Sequence, residues 1–376
     1  MAKTGILSMQ RIINYGSFLQ AYALKTLLEE SGHDVQFVDY HVGKPLVQET
    51  VKKENPLMKK IRKGFEALRY DAPLMHRVQF ILYKKNFAKK YFSELGIGEN
   101  FNYSPKLDTL VIGSDEVFNC VQKNPNVGYS PELFGKNHRA KKLISYAASF
   151  GNTTSEKLEQ YKKTEEIAGL LQGFDAISVR DNNSGHIVEK LTGKAPQYHL
   201  DPVLAYDYMG KCDKIPSGET LKGYHEKYLI LYAYSGRISA REASVIRAYA
   251  KKQGWKIYAI GGVHPCADRY IDCSPFEVLA YFGNAQAVVT DTFHGSIFSV
   301  ITKRKFVTIV RKSVGISYGN EEKLSDLLQR LGLSDRMTAD VESVGDIMEQ
   351  EIDYQAVDVI LETERQRTRE YLESQI

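Results

Sequence analysis

The sequence predicts an α/β protein of two Rossmann-like domains facing across a cleft, on three observations. Short apolar runs alternate with amphipathic stretches in both halves, the rhythm of parallel sheets covered by helices. Between the halves, residues 206–224 are rich in Lys, Gly, Asp and Pro and read as a linker. Polar residues collect at the carboxyl ends of the predicted strands, namely Asn14, Ser114, Asp115, Ser149, Arg180, Ser235, Asp291 and His294. Open α/β sheets bind ligands at that edge. The domains are expected over residues 1–205 and 225–350, with a closing helix at 354–376.

In order, residues 4–9 read as a strand. Residues 17–30 read as a helix with Leu19, Ala23, Leu27 and Leu28 on its inner face, ended by Gly32, and residues 35–40 as a second strand. The loop of this βαβ unit holds Asn14 and Gly16 but no G-x-G-x-x-G, which argues against a nicotinamide or flavin site. Residues 45–99 form a basic helical segment with Lys52, Lys53, Lys59, Lys60, Arg62, Lys63, Lys84, Lys85, Lys89 and Lys90. It is either a patch for an acidic polymer or membrane surface, or a set of solvated faces whose lysine stems cover apolar residues. The second is the ordinary outcome for a charge run.

Strands follow at 107–112, ending in Gly113-Ser114-Asp115, and at 142–147, ending in Ala148-Ser149-Phe150-Gly151. A helix is expected over 155–172, a strand over 174–179 ending at Arg180, a helix opened by residues 181–184, and a strand at 197–200 running into Asp201-Pro202. The second series has a strand at 227–234 ending in Ser235-Gly236-Arg237, a helix at 239–253 and a strand at 255–260. Pro275 is expected as a first helical residue behind Ser274. A strand at 305–310 and helices at 321–331 and 354–375 complete the chain, the last with Val357, Ile360, Leu361 and Tyr371 on one face.

The chain is organised around QAVVTDTFHGSIFSV, residues 286–300. A buried strand at 287–289 feeds a turn at 290–294, and a helix is predicted from Gly295 with Ile297, Phe298 and Ile301 inward. Unpaired N–H groups and the helix dipole make such a start an anion site. Asp291, His294, Gly295 and Ser296 surround it, so this is the candidate catalytic centre.

Composition narrows the class. The 376 residues are 43% hydrophobic and 26% charged, as in an ordinary globular protein with ample core. A net charge of +4 does not by itself argue for nucleic acid. Cys120, Cys212, Cys266 and Cys273 show no close pairing, so reduced thiols are expected in a cytoplasmic protein, and no cluster has metal-ligand spacing. There is no signal-peptide pattern at the start and no apolar run long enough to span a bilayer.

Six segments, in this order, resemble the polysaccharide pyruvyl transferase family. They are NYGSFLQAYAL at 14–24, IGSDEVFN at 112–119, SYAASFG at 145–151, ISVRD at 177–181, DPVL at 201–204 and TDTFHGSIFS at 290–299. The resemblance implies a glycosyltransferase-B-like fold and transfer of a pyruvyl group from phosphoenolpyruvate, the donor substrate, to two hydroxyls of a saccharide. The product is a cyclic ketal, made in cell-surface or exopolysaccharide biosynthesis. The acceptor is a free or lipid-linked saccharide, and no separate cofactor and no nucleic acid is implied. The family's serine-x-arginine strand end and histidine-glycine turn serve the donor site, and here they are Arg180 and His294. Well-studied members carry an arginine two positions before the turn histidine, where this chain has Thr292, and often a tryptophan where it has Phe118. A donor with carboxylate and phosphate needs cationic partners, so Arg237, Arg311 and Lys312 are candidates to compensate.

On this reading His294 is the acid or a phosphate contact, or else a cap of its own helix. Asp291 orients His294, acts as base, or caps the helix. Arg180 is a fork for the donor, or pairs with Asp181 or Asp201. Asn14 and Gly16 admit a ligand to the backbone, or are ordinary turn residues. Ser114 and Asp115 contact acceptor hydroxyls, or cap the next segment. Ser149, Ser235 and Arg237 complete the expected substrate-binding set. Two other functions fit the same plan: a nucleotide-sugar transferase, and a catalytically silent saccharide-binding relative.

Overall fold

The computed structural model describes residues 1–47, 70–311 and 321–376. Its framework is two six-stranded sheets, every pairing parallel. The first holds β1 (Lys3–Leu7), β2 (Asp34–Phe37), β3 (Lys106–Asp115), β4 (Arg139–Ala148), β5 (Ser178–Val179) and β6 (Gln197–Tyr198), in the order β2-β1-β3-β4-β5-β6. The second holds β7 (Tyr228–Tyr232), β8 (Lys256–Ile260), β9 (Arg269–Ile271), β10 (Ala287–Thr290), β11 (Phe306–Ile309) and β12 (Met337–Thr338), in the order β12-β11-β10-β7-β8-β9. Strand order reverses between β1 and β3 in one sheet and between β7 and β10 in the other. Each reversal leaves a crevice at the carboxyl edge. The architecture is the two-domain, Rossmann-like α/β plan that the sequence predicts.

Several elements depart from their expected bounds for physical reasons. β3 and β4 each run for ten residues because they pair along their whole length, Lys106 opposite Arg139 through Asp115 opposite Ala148. The strand expected at 174–179 contracts to Ser178–Val179, since the Asp175 carboxylate takes the Leu143 N–H (2.7 Å) in place of a ladder bond. The helix expected at 155–172 is two, Ser155–Gln160 and Thr164–Leu171, parted at Lys162, whose φ is 54°. β9 and β12 are too short to show a period. In the basic segment, α2 spans Leu74–Tyr91 and buries Phe80, Tyr83 and Phe87, while Lys85, Lys89 and Lys90 are exposed. Lys52, Lys53, Lys59, Lys60, Arg62, Lys63 and Lys312 lie outside the described residues. The stretch read as a linker is packed rather than solvated at its start: Tyr206 and Tyr208 are buried, and Tyr208 donates to the Leu19 carbonyl.

One apolar core runs through both sheets. Helix α1 (Tyr15–Glu30) lies at its centre, so that Tyr15 through Ala21 are buried on every side. Phe18 and Tyr22 meet Phe276 of α3 (Pro275–Asn284) edge-on, with centroids 5.9 and 4.9 Å apart. Tyr15 and Phe80 continue the contact through Tyr83, Phe87 and Tyr270, so α2 bridges the first domain to β9 of the second. Such edge-to-face pairs add roughly 0.5–1.5 kcal/mol each beyond their buried area.

Past α4 (Phe293–Ile301) and α5 (Glu321–Arg330), the closing helix α6 (Tyr354–Gln375) returns to the first sheet. The Tyr371 hydroxyl donates to the Ser145 carbonyl (2.7 Å), and Arg365 donates to Leu204 (3.1 Å). Among the described residues no helix is long and apolar enough to cross a membrane. Tyr371 is almost wholly buried, so Tyr371→Ala is expected to destabilise the fold by about 3–5 kcal/mol. The loss should appear as a lowered Tm, with Tyr371→Phe much milder.

Candidate active site

The two crevices face each other and enclose a cavity of about 640 Å³. From the first domain come Asn14, Ser17, Asp115, Glu116 and Arg180, and from the second Tyr234, Arg237, Asp291, Thr292, Phe293 and His294.

Arg180 continues from β5 and is nearly buried, with 3% of its side chain exposed. A buried guanidinium needs acceptors. Its NH1 donates to Asp201 Oδ2 at 2.9 Å and its NH2 to Asp115 Oδ1 at 3.3 Å, while its plane stacks 4.4 Å over Phe293. Burial alone disfavours the charge, but Asp115 and Asp201 outweigh it and raise the guanidinium above its ordinary pKa. Asp181, the other partner expected, instead caps the helix Asn182–Thr192 and accepts from Ser149 Oγ. Asp115 has a φ of 69°, in the left-handed region, and is tied by Ser17 Oγ (3.0 Å) and the Glu116 N–H (2.9 Å).

His294 faces the same carboxylate. Its Nε2 lies 3.7 Å from Asp201 Oδ2, within ion-pair range but beyond a hydrogen bond. Burial pushes the Asp201 carboxyl up, but His294, Arg180 and the Val203 N–H together hold it below the ordinary range. Gly16 explains the seat of the ring. A Cβ at Gly16 would lie 2.2 Å from His294 Cγ, so the imidazole fits only against a bare backbone.

Helix α4 starts at Phe293, two residues before its expected start, because Thr292 is the cap. Thr292 Oγ1 accepts the Gly295 N–H at 2.9 Å. His294 therefore lies in the first turn, and Asp291 is not the cap. Among the described residues no hydrogen bond or ion pair joins Asp291 to His294. Asp291 is fully buried with one oxygen 3.8 Å from Arg237. Burial raises its pKa, although Arg237 and Arg311 pull the other way. Arg311 stands behind this pair, donating to the Arg237 carbonyl (2.8 Å) and to Glu242.

Of the other expected binding residues, Asn14 caps α1 through the Gly16 N–H (2.7 Å) and reaches across the cleft to the Tyr234 hydroxyl (3.0 Å). Gly16 lies inside α1, not in a turn. Four serines bond within the fold, and of these Ser114, Ser149 and Ser296 are buried while Ser235 is half-buried. Ser114 Oγ donates to Ala147 (2.9 Å), Ser149 to Asp181, and Ser296 to Thr292, while Ser235 Oγ accepts the Val263 N–H (2.9 Å). Gly295 gives its N–H to Thr292 and leaves no room beside Thr290 for a Cβ, so it offers nothing to an anion. The N–H groups of Phe293 and His294, at the first two helical positions, have no acceptor within the helix.

Sequence reasoning passed over Asp201 as a site residue, although DPVL at a strand end was a signal. It also passed over Lys84, Lys123 and Lys323, which line the cavity from α2, a loop and α5. Among the described residues, no group of three or more His, Cys, Asp or Glu is placed to hold a metal ion.

The profile of the polysaccharide pyruvyl transferase family matches residues 14–313. No curated protein matches the chain significantly. Solved structures of similar shape include the UDP-GlcNAc 2-epimerase of Methanocaldococcus jannaschii, at 10% identity and a TM-score of 0.49 over 94% of this chain and 93% of that one. Another is the UDP-N-acetylglucosamine 2-epimerase of Rickettsia bellii, at 10% identity and 0.49 over 100% and 98%. A third is the spinosyn rhamnosyltransferase, at 10% identity and 0.46 over 99% and 100%.

Because the folded state raises the pKa of Asp291, it binds that proton more tightly than the unfolded chain does. The stability so gained is complete below the unfolded carboxylate pKa and is lost as pH rises through the raised one. Asp291→Asn mimics the protonated form. It should therefore melt above the wild type at pH 7, the gap closing as the pH falls through the carboxylate range.

Proposed function

Since the chain belongs to the polysaccharide pyruvyl transferase family, we propose that it transfers the pyruvyl group of phosphoenolpyruvate to two hydroxyls of a saccharide. The observation that carries this reading is the Arg180–Asp201–His294 array opening on a cavity whose lining is cationic. Arg11, Lys84, Lys123, Arg180, Arg237 and Lys323 face Asp115, Glu116 and Asp291 there. An excess of cations suits a small acid bearing both a carboxylate and a phosphate.

The reaction begins with a proton placed on the methylene carbon of the enol phosphate, leaving an oxocarbenium-like centre. A saccharide hydroxyl attacks that centre and loses its proton. The C–O bond to phosphate then breaks, and a second hydroxyl closes the ketal with loss of its own proton. His294 is the residue for the first proton, because it sits at the cavity wall, seated on Gly16, with the Asp201 carboxylate within ion-pair range. Arg180 holds Asp201 in that position. Asp291, whose pKa is raised by burial, is suited to take a proton from an attacking hydroxyl. Arg237 and the N–H groups opening α4 face the departing phosphate.

Phosphoenolpyruvate at about a hundred times its Kd should stabilise the protein by roughly 2.7 kcal/mol, a Tm rise of a few degrees, with no matching effect from nucleoside diphosphates. With acceptor present, phosphate release should depend on His294, and His294→Ala should lower kcat by about 10²–10⁴-fold in a folded protein. Stabilisation by a nucleoside diphosphate alone would instead indicate a nucleotide-sugar transferase. Saccharide binding without phosphate release would indicate a silent relative.

A further inference from the structure

The cations of the cavity are not equivalent. Arg11 is held by Asp39 (2.6 Å), Arg180 by Asp201 and Asp115, and Lys323 by Glu116 (2.9 Å), while Arg237 lies 3.8 Å from Asp291. Lys84 differs. Its ammonium donates to the Ile13 carbonyl (2.9 Å) and lies 5.5 Å from the rings of Phe80 and Tyr83, and no carboxylate of the described residues comes within ion-pair range. An ammonium carries three donors, so this leaves two for a ligand. Lys84 lines the main cavity and also a recess that it shares with Asn14, Tyr232, Tyr234 and Thr292. On the far wall of that recess, Thr292 spends its hydroxyl on the helix cap and brings no charge.

We propose that Lys84 is the anion-binding residue of the donor site and takes the phosphate group of the donor, an inference that rests on the pyruvyl-transfer reading above. A compact ammonium on a flexible stem suits phosphate as a point charge. The phosphate then lies between Lys84 of the first domain and the free N–H groups that open α4 in the second.

Lys84 is exposed as a residue, but desolvation of its ammonium in the cleft lowers its pKa to about 8. The titratable groups facing it across the recess are Tyr15, Tyr83, Tyr232 and Tyr234. Desolvation raises all four above the ordinary tyrosine pKa, Tyr234 included although its side chain is partly exposed, so none of them titrates near 8. Lys84 is charged below that point and loses its charge as the pH rises through it.

The test is a binding titration of inorganic phosphate and of pyruvate, separately, between pH 6.5 and 9.5. In Lys84→Met the phosphate Kd should rise about 10- to 100-fold, with pyruvate binding and Tm unchanged. Wild-type affinity for phosphate should fall as the pH passes about 8, and Lys84→Arg should keep it to higher pH. Titration of phosphate itself is common to both proteins and drops out of the comparison. A Lys84→Met protein that binds phosphate like the wild type overturns the assignment, as does a Lys84→Arg protein with an unmoved pH break. If phosphate binding depends on Lys84 while the wild type ignores phosphoenolpyruvate, the anion site stands and the pyruvyl reading falls. If pyruvyl transfer proceeds and Lys84→Met leaves phosphate binding intact, the reverse holds.

Discussion

The guanidinium of Arg180 is the constraint from which the cleft geometry follows. A cation so far from water is tolerated only with its acceptors in place, and removing one such partner typically costs about 3–5 kcal/mol. Here the acceptors come from separate places in the chain: Asp115 ends β3, and Asp201 follows β6. The second domain contributes Phe293 beneath the guanidinium plane and Arg330, whose NH1 donates to the Arg180 carbonyl (3.1 Å). Through its side chain and its own carbonyl, this one residue thus ties two strand ends and two helices of the opposite domain together. Asp201 has one oxygen on the Val203 N–H and the other on Arg180, which leaves its outer edge toward His294.

The complementary constraint is an absence. Gly16 gives the His294 ring a bare helix backbone to lie on, so the imidazole is placed by the first domain although it belongs to the second. Asn14 and Ser17, on either side of that glycine, bond Tyr234 across the cleft and Asp115 along the rim. The aromatic contacts of Phe18 and Tyr22 with Phe276 set the depth at which α1 enters. One turn of α1 therefore caps itself, seats the histidine and anchors the core. Those tasks explain why NYGS opens the first of the motifs.

The alternation of apolar strands and amphipathic helices made the fold legible, because burial on both faces of a parallel sheet leaves a dense apolar run in the sequence. The polar residues at strand ends were legible for the same topological reason. Which of them turn toward a ligand was not. Ser114, Ser149, Ser235 and Ser296 stand in the expected places, yet each hydroxyl serves a neighbouring backbone or side-chain group, and that depends on dihedral angles a sequence does not state. Lys84 shows the converse. In a run of lysines its spacing looks no different from that of Lys85 or Lys89. Only the packing of Phe80, Tyr83 and Phe87 against the core turns it toward the cleft.

Position 292 links these two limits. Threonine there takes two jobs a long cation could not, accepting the Gly295 N–H and bonding Thr290 Oγ1 (3.0 Å) beneath it. A capping side chain contributes about 1 kcal/mol to its helix, and the cap also fixes where the first turn carrying His294 begins. An arginine at this position would put the charge on the turn that carries the histidine. In this chain a cation that shares the recess with Thr292 projects from α2, in the other domain. An anion in the recess then touches both domains at once, so its binding is tied to their relative position, whereas a charge on the α4 turn would bind it from one side alone.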